Sequence, residues 1–263
     1  MKVGFIGCGN MGAALITAIS KNKQTKLYIF DTNTEKCESV AAASGAEIMA
    51  ASDIARAVDM LFLAVKPSVI GTVLSALREA IGENPEVTVV SMAAGVKLEA
   101  LEGLAPDAKI IRIMPNTSVA VGSGMTAYSL GKGVSAEDEA AFLAVMESTG
   151  ACDKLPEGLI DAESAIAGSG PAFAYMFIDA LADGGVLCGL PRDKAIAYAA
   201  RMLEGAAKTL IETGEHPAVL KDRVCSPGGS TIEGVAALEA GSFRAAVSAA
   251  VIETCKKARK LGG

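Results

Sequence analysis

The sequence predicts an α/β protein: a doubly wound parallel sheet in the N-terminal part, followed by an all-helical C-terminal part. Three observations predict it. The chain opens on a strand, a glycine turn, a helix and a second strand ending in an acid. Short apolar runs then alternate with helix-patterned stretches up to residue 150, the alternation of a sheet with helices on both faces. Past Gly150 strand signals cease and helical ones continue.

Lys2 to Gly7 (KVGFIG) reads as a short buried strand, running into Gly7-Cys8-Gly9-Asn10-Met11-Gly12 and then into the apolar-periodic AALITAIS. The next strand, Leu27 to Phe30, ends in Asp31. Strand, G-x-G-x-x-G, helix, strand and acid form the dinucleotide-binding layout of a Rossmann-type domain. Gly7 allows the tight turn, Gly9 leaves room for a pyrophosphate against the backbone, and Gly12 lets helix and strand approach closely. The helix N-terminus offers N–H groups and a positive dipole end to the phosphates. Asp31 suits ribose hydroxyls, or caps the helix starting near Thr34. Asn33, Thr34 and Lys36 stand where they could meet a 2′-phosphate, so NADH and NADPH both remain open.

A length of 263 residues suits one large or two modest domains; the change near Gly150 divides it into 1–150 for the dinucleotide and 151–263 for the helical part. Half the residues are hydrophobic, enough for a sizeable core, and few are aromatic. A net charge of −6 and a pI near 5.0 argue against a nucleic-acid partner. The basic cluster Lys256 to Lys260 reads as charges favoured at a helix C-terminus. Six cysteines sit singly, and His216 has no metal-ligand spacing to any of them. That pattern fits a reducing compartment and no metal site. The chain begins directly on a strand, and its longest charge-free stretch is broken by Gly168, Gly170 and Pro171. The expectation is a cytoplasmic protein with no membrane partner.

In order, the N-terminal half continues with a helix over 34–44 stopped by Gly45, and a short helix near Asp53 to Val58. Met60 to Val65 is a continuous apolar run, the mark of a central parallel strand. It ends in Lys66-Pro67-Ser68. Ligands of open α/β sheets lie beyond the carboxyl ends of the strands, so Ala64, Val65, Lys66 and Pro67 fall at a cofactor edge. A helix from Val69 to Ile81 follows, then the strand Val87 to Ser91, opening into Met92-Ala93-Ala94-Gly95, whose small residues leave room for a flat ring. The strand Lys109 to Ile113 ends in Met114-Pro115-Asn116-Thr117. Asn116 and Thr117 there either orient a nicotinamide or substrate or simply form a turn. Met125 to Leu130 is the last strand, and a charged helix runs from Ala136 to Ser148.

The C-terminal half starts a helix at Ser169-Gly170-Pro171, inside a stretch from Ser164 to Ile178 without any charge. A helix apolar all round must be buried, and a domain this small predicts burial against a second subunit. Further helices run near Arg192 to Thr213 and Gly241 to Lys260. Between them, Ser226-Pro227-Gly228-Gly229-Ser230-Thr231-Ile232-Glu233 combines bare backbone, hydroxyls and a helix start. Ser230 and Glu233 have the spacing of a capping box. The loop reads as an anion site or as a well-capped helix and nothing more. Hydrolytic motifs and metal clusters are missing from the sequence, so the chemistry is hydride transfer by the cofactor. A carboxylate pocket without a strong base suits an imine that carries a carboxylate.

At this point the residues resemble pyrroline-5-carboxylate reductase. The resemblance rests on Val3-Gly4-Phe5-Ile6-Gly7, Ala64-Val65-Lys66-Pro67, Ala93-Ala94-Gly95-Val96, Met114-Pro115-Asn116-Thr117, Gly168-Ser169-Gly170-Pro171-Ala172, Asp179 to Val186, and Ser226 to Thr231. These blocks occur in order and span nearly the whole chain. The resemblance implies reduction of 1-pyrroline-5-carboxylate to L-proline with NADH or NADPH, the last step of proline synthesis. It implies a helical domain interlocked with a twofold mate, an active site using both subunits, and dimers that assemble in several members into decamers. Ile6, Gly7, Cys8, Gly9, Asn10, Met11, Ala64 to Pro67, and Met92, Ala93 and Ala94 would contact the cofactor. Ser226, Gly228, Gly229, Ser230 and Thr231 would hold the substrate carboxylate, with the Thr231 hydroxyl near the ring nitrogen. A β-hydroxyacid dehydrogenase is the rival of similar architecture. It would need a lysine in the helical domain, and Lys194, Lys208 and Lys221 stand in no recognisable motif. A non-catalytic nucleotide sensor would bind cofactor without turnover.

Overall fold

Residues 1–261 are described by the structure, a computed structural model. The chain divides into two units: Met1–Ser169 with the C-terminal end from Thr254 onward, and Gly170–Glu253.

In the first unit, apolar runs become strands and the stretches between them become helices. The order is β1 (Lys2–Ile6), α1 (Asn10–Ile19), β2 (Lys26–Phe30), α2 (Thr34–Ser44), β3 (Glu47–Ile48), α3 (Ala51–Ala57), β4 (Met60–Leu63) and α4 (Ile70–Gly82). Then come β5 (Thr88–Ser91), α5 (Leu98–Leu104), β6 (Lys109–Pro115), β7 (Gly124–Leu130), α6 (Ala136–Met146) and β8 (Gly150–Lys154). They form one sheet in the order β3-β2-β1-β4-β5-β6-β7-β8. The strands from β3 to β6 run parallel, and β7 reverses against β6. The chain therefore switches direction across the sheet between β1 and β4, and a crevice opens beyond their carboxyl ends.

Strand alternation sends side chains to two layers. Val3, Phe5, Met60 and Phe62 join Leu15, Ile16 and Phe142 on one face. Ile6, Leu61 and Leu63 join Ile54, Leu74 and Ile110 on the other. Phe5 and Phe62 are register partners on β1 and β4, and their rings stack with centroids 4.5 Å apart. This interdigitation fixes how far the loops after β1 and β4 stand from each other.

Two local expectations are corrected. Asn33, not Asp31, caps α2, its side chain accepting from the Lys36 N–H. Gly45 does end that helix, with φ +73°. Strand signals also appeared to stop at Gly150, yet β8 pairs with β7 from Gly150 to Lys154. Its side chains are mostly polar and partly exposed, so the pairing comes from backbone hydrogen bonds at a sheet edge.

From Glu157 to Leu187 the chain forms one 31-residue helical run. It contains α7 (Ile160–Glu163), a π-helical turn (Ser164–Gly168) and α8 (Gly170–Leu187). The expectation that Gly168, Gly170 and Pro171 break this stretch is therefore wrong. The π turn absorbs Gly168, Gly170 opens α8, and Pro171 sits in the first turn of α8, where its missing N–H costs little. By length and composition the run could cross a membrane, and little of it is buried within the chain.

The second unit adds α9 (Arg192–Thr213), α10 (Pro217–Val224), α11 (Ser230–Ala240) and the start of α12 (Phe243–Leu261). α8 and α9 cross closely: a Cβ on Gly185 would lie 3.1 Å from the Ala195 side chain. Only Ala182, Ala195 and Ala199 are fully buried here, whereas Met176 is 73% and Ile211 80% exposed. A unit with so small an interior leaves its apolar faces for another surface to cover.

Candidate active site

In the first unit the marked residues gather at the β1–α1 turn. Gly7 has φ +108°, a conformation costly for any residue with a Cβ. A Cβ there would also meet the Ala64 carbonyl oxygen at 2.4 Å. One on Gly12 would meet the Gly7 carbonyl oxygen at 2.3 Å and Ala64 Cβ at 3.0 Å. Both glycines are thus needed for turn, helix and β4 end to pack together. Gly9 differs: a Cβ there would have no atom within 4 Å, so the space above the loop is open. Gly9 is the N-cap of α1, without a side-chain cap and without an acidic residue in the first turn. Open backbone and an uncapped helix N-terminus fit a dinucleotide pyrophosphate.

Around this cradle the structure gathers most of the residues the sequence marks. Ile6 ends β1, and the Ala64 N–H donates to its carbonyl over 2.8 Å. Cys8 is buried with its side chain in the core. Burial, with Cys37 beside it, pushes its thiol up to about 12. Only the backbone of Cys8 is then available to a ligand, and its N–H donates to Asp31 Oδ2 over 2.6 Å. Asp31 Oδ1 accepts from the Asn33 N–H at 2.8 Å. Lys66 is exposed and begins the turn Pro67–Val69. Ala93 is buried, Met92 half-buried and Ala94 exposed.

A cleft of about 240 Å³ opens at this edge, lined by Pro67, Ala94, Gly95, Met114, Asp161, Ser164 and Ala258. Asp161 and Ser164 escaped the sequence reading, which treated this segment as helix to be buried. Asn116 is nearly buried, its Nδ2 donating to the Ala167 carbonyl at 3.0 Å and its Oδ1 accepting from the Met125 N–H. Its amide ties β6 to the π turn and β7. Close by in sequence, both carboxylate oxygens of Glu163 are shielded from solvent without a hydrogen-bond partner. Burial, then the charge of Asp153, pushes that carboxyl up to about 7.

The helical unit carries its own cluster of marked residues, around the start of α11. Cys225 ends α10, and Ser226 to Gly229 make a tight turn in which the Gly229 N–H donates to the Ser226 carbonyl at 3.0 Å. Gly228 takes φ +67°, the left-handed position that such a turn reserves for glycine. A Cβ on Gly229 would meet Ser226 Oγ at 2.3 Å, so the serine hydroxyl lies over bare backbone. The capping box expected of Ser230 and Glu233 is absent. Gly229 is the N-cap of α11, and no side chain caps it. Ser230 is instead the first residue of the helix and Thr231 the second. The N–H groups of the first turn remain free of side-chain acceptors, with exposed hydroxyl residues around them. Such an arrangement offers N–H groups and hydroxyls to an anion.

The alternative catalytic groups are engaged elsewhere. His216 caps α10, its Nδ1 accepting from the Ala218 N–H at 3.2 Å. Lys208 pairs with Glu212 and Lys221 with Asp222 on the surface.

Known proteins resemble this chain over nearly its whole length. Residues 157–261 match the family model described as pyrroline-5-carboxylate reductase dimerisation. Residues 2–95 match one described as NADP oxidoreductase coenzyme F420-dependent. The pyrroline-5-carboxylate reductase of Escherichia coli is 41% identical over 99% of this chain and 98% of its own length. That of Arabidopsis thaliana is 38% identical over 99% of this chain. Among solved structures, the Streptococcus pyogenes enzyme superposes with a TM-score of 0.87 at 33% identity, covering 99% of this chain and 98% of that one. The Plasmodium falciparum pyrroline carboxylate reductase, solved with NADP bound, gives a TM-score of 0.87 at 30% identity, covering 100% of this chain and 98% of that one.

Proposed function

The chain belongs to the pyrroline-5-carboxylate reductase family, and we infer from the site how its residues divide the work. It is an NAD(P)H-dependent oxidoreductase that reduces 1-pyrroline-5-carboxylate to L-proline, the final step of proline synthesis. NADH or NADPH, when bound, supplies the hydride. In our reading Gly7, Gly9 and the N–H groups of Asn10 and Met11 hold the pyrophosphate. Asp31 and Asn33 meet the adenosine ribose. Ala64, Val65, Lys66 and Pro67, with Met92 to Ala94, line the nicotinamide half. Asn116 acts through the β6 edge that it braces.

Ser226, Gly228, Gly229, Ser230 and Thr231 take the substrate carboxylate. The single observation carrying this assignment is the uncapped start of α11 among hydroxyl residues. A protonated imine already carries positive charge and takes hydride without forming an oxyanion, so no strong base is required. The Thr231 hydroxyl serves the ring nitrogen as hydrogen-bond partner. The reaction consumes one hydride and one proton: the C=N π bond breaks, a C–H bond forms, and the nitrogen keeps the proton.

The family model for dimerisation and the uncovered apolar faces of α8 and α12 support self-association as an interlocked dimer. Further assembly to a decamer is part of the same proposal. So are the functional division at residue 150 and a cytoplasmic location, the latter supported by six free cysteines. A steady-state assay of the cyclic imine against hydroxy acids tests the function. Turnover of hydroxy acids but not of the imine would overturn it.

A further inference from the structure

We propose that Asp31 makes this chain select NADH over NADPH. The inference rests on the dinucleotide site assigned above. In that site the second strand's end lies beside the ribose that carries a hydroxyl in NADH and a phosphate in NADPH. The Plasmodium relative holds NADP, so the family's shared fold does not itself exclude the phosphate. The preference must come from side chains at this one corner.

Asp31 is held by backbone on both sides. Its Oδ2 accepts from the Cys8 N–H inside the glycine loop at 2.6 Å, and its Oδ1 from the Asn33 N–H at 2.8 Å. An ionised carboxylate has about four lone-pair sites, so the pair of bonds fixes the group and leaves acceptors for ribose hydroxyls. It offers a 2′-phosphate no donor, only like charge of about −1.5 to −2 on the incoming group.

The surroundings add little that would offset this. Among the described residues no cation pairs with Asp31. Glu35 places a second carboxylate in the first turn of α2. That helix start could attract a phosphate, but its Lys36 N–H is already capped, which leaves only part of the first turn for one. Asn33 Oδ1 accepts from the Lys36 N–H at 2.9 Å and the Asn33 carbonyl from the Cys37 N–H at 3.1 Å. Lys36 remains as one exposed, solvated cation against two acids. Like charges brought within contact distance are strongly disfavoured even at a partly solvated site.

Calorimetric titration of the intact protein with NADH and with NADPH tests the proposal, alongside the variants Asp31→Ser and Asp31→Asn. The expected result is NADH binding tighter by about tenfold or more. Both variants should erase or reverse that ratio, mainly by tightening NADPH. Asn keeps an acceptor for the backbone N–H groups, so it removes the charge while sparing the loop. If Asp31 only braces the loop, each variant will weaken both nucleotides equally and leave the ratio unchanged, which overturns the proposal. NADPH binding as tightly as NADH to the unaltered protein overturns it too. Binding of neither nucleotide would instead bring down the cofactor site itself, and the inference with it.

Discussion

Nη1 of Arg112 lies 2.9 Å from Oε1 of Glu157, and the arginine side chain is only 3% exposed. The contact joins β6 to the start of the long helical run. The same carboxylate oxygen accepts from the Leu98 N–H at 2.6 Å, so α5 is tied in as well. Asp161, which lines the cleft, stands 3.6 Å from the second guanidinium nitrogen. Removing one partner of a buried pair leaves an uncompensated charge. Glu157→Ala should therefore lower unfolding stability by about 2–4 kcal/mol. Denaturant unfolding at fixed protein concentration reads it, and a change below experimental error would show that Asp161 alone suffices for Arg112.

Glu163 gives a pH signature. Its folded pKa lies near 7, above its ordinary value of 4.5. Between those two values the folded state binds more protons than the unfolded one, so this group's contribution to stability falls as pH rises. Although its carboxylate oxygens are shielded, the residue as a whole is only half-buried, which softens the effect. Glu163→Gln should raise the melting temperature by roughly a few degrees at pH 8 and hardly at all at pH 4.5. An equal shift at both pH values would assign the gain to packing rather than to charge.

How much of this was legible in the sequence varies with the physics behind each part. The strand runs β1, β4 and β6 and the glycine turn could be read directly, because apolar continuity and glycine spacing are local signals. β8 could not: Ala151-Cys152-Asp153-Lys154 has no strand pattern, and its pairing depends on β7 lying alongside. The start of α11 was misread for a related reason. Ser230 and Glu233 have capping-box spacing, but Gly228 at positive φ lets the turn close one residue earlier and moves the cap to Gly229. Asp161 and Ser164 reached the cleft unannounced: Asp161 precedes and Ser164 opens a π turn that no periodicity encodes. Arg112 gave no sign at all, standing in an apolar strand as a single charge whose partners lie far along the chain.

The glycines of the loop separate binding from folding. Gly9→Val adds a side chain to open space, so the protein should fold and melt close to the unaltered one. The pyrophosphate would lose that space, and NAD(P)H affinity should drop by about a hundredfold or more, since one misplaced side chain there removes several charge-assisted bonds. Gly12→Val should instead destabilise, because its Cβ strikes backbone. Wild-type affinity in folded Gly9→Val would remove the loop from the cofactor site.

Self-association has a clear target. A groove of about 570 Å³ in the helical unit is lined by Phe173, Met176, Phe177, Leu181, Phe243, Ala246 and Val247, among others. A second copy covering it would desolvate any charge placed there. Ala246→Glu should weaken the dimer by about a hundredfold or more, visible as monomer in light scattering at micromolar concentration. An unaltered dimer would place the interface elsewhere on the unit.

Thr231 carries the assignment of the substrate loop. It is the second residue of α11, one position inside a helix start that no side chain caps. If its hydroxyl bonds the imine nitrogen, Thr231→Ala removes one hydrogen bond to a charged group, worth about 1.5–3 kcal/mol. That converts to a fall of roughly ten- to a hundredfold in kcat/KM for the cyclic imine. Cofactor affinity should hardly change, because the loss concerns the imine alone. Thr231→Ser, which keeps the hydroxyl, should recover most of the rate. A purely structural role would lower the melting temperature of both variants and leave the kinetic difference between them small. Equal kcat/KM for Thr231→Ala and the unaltered enzyme would move the nitrogen's partner to another group, with Ser230 the nearest hydroxyl in sequence.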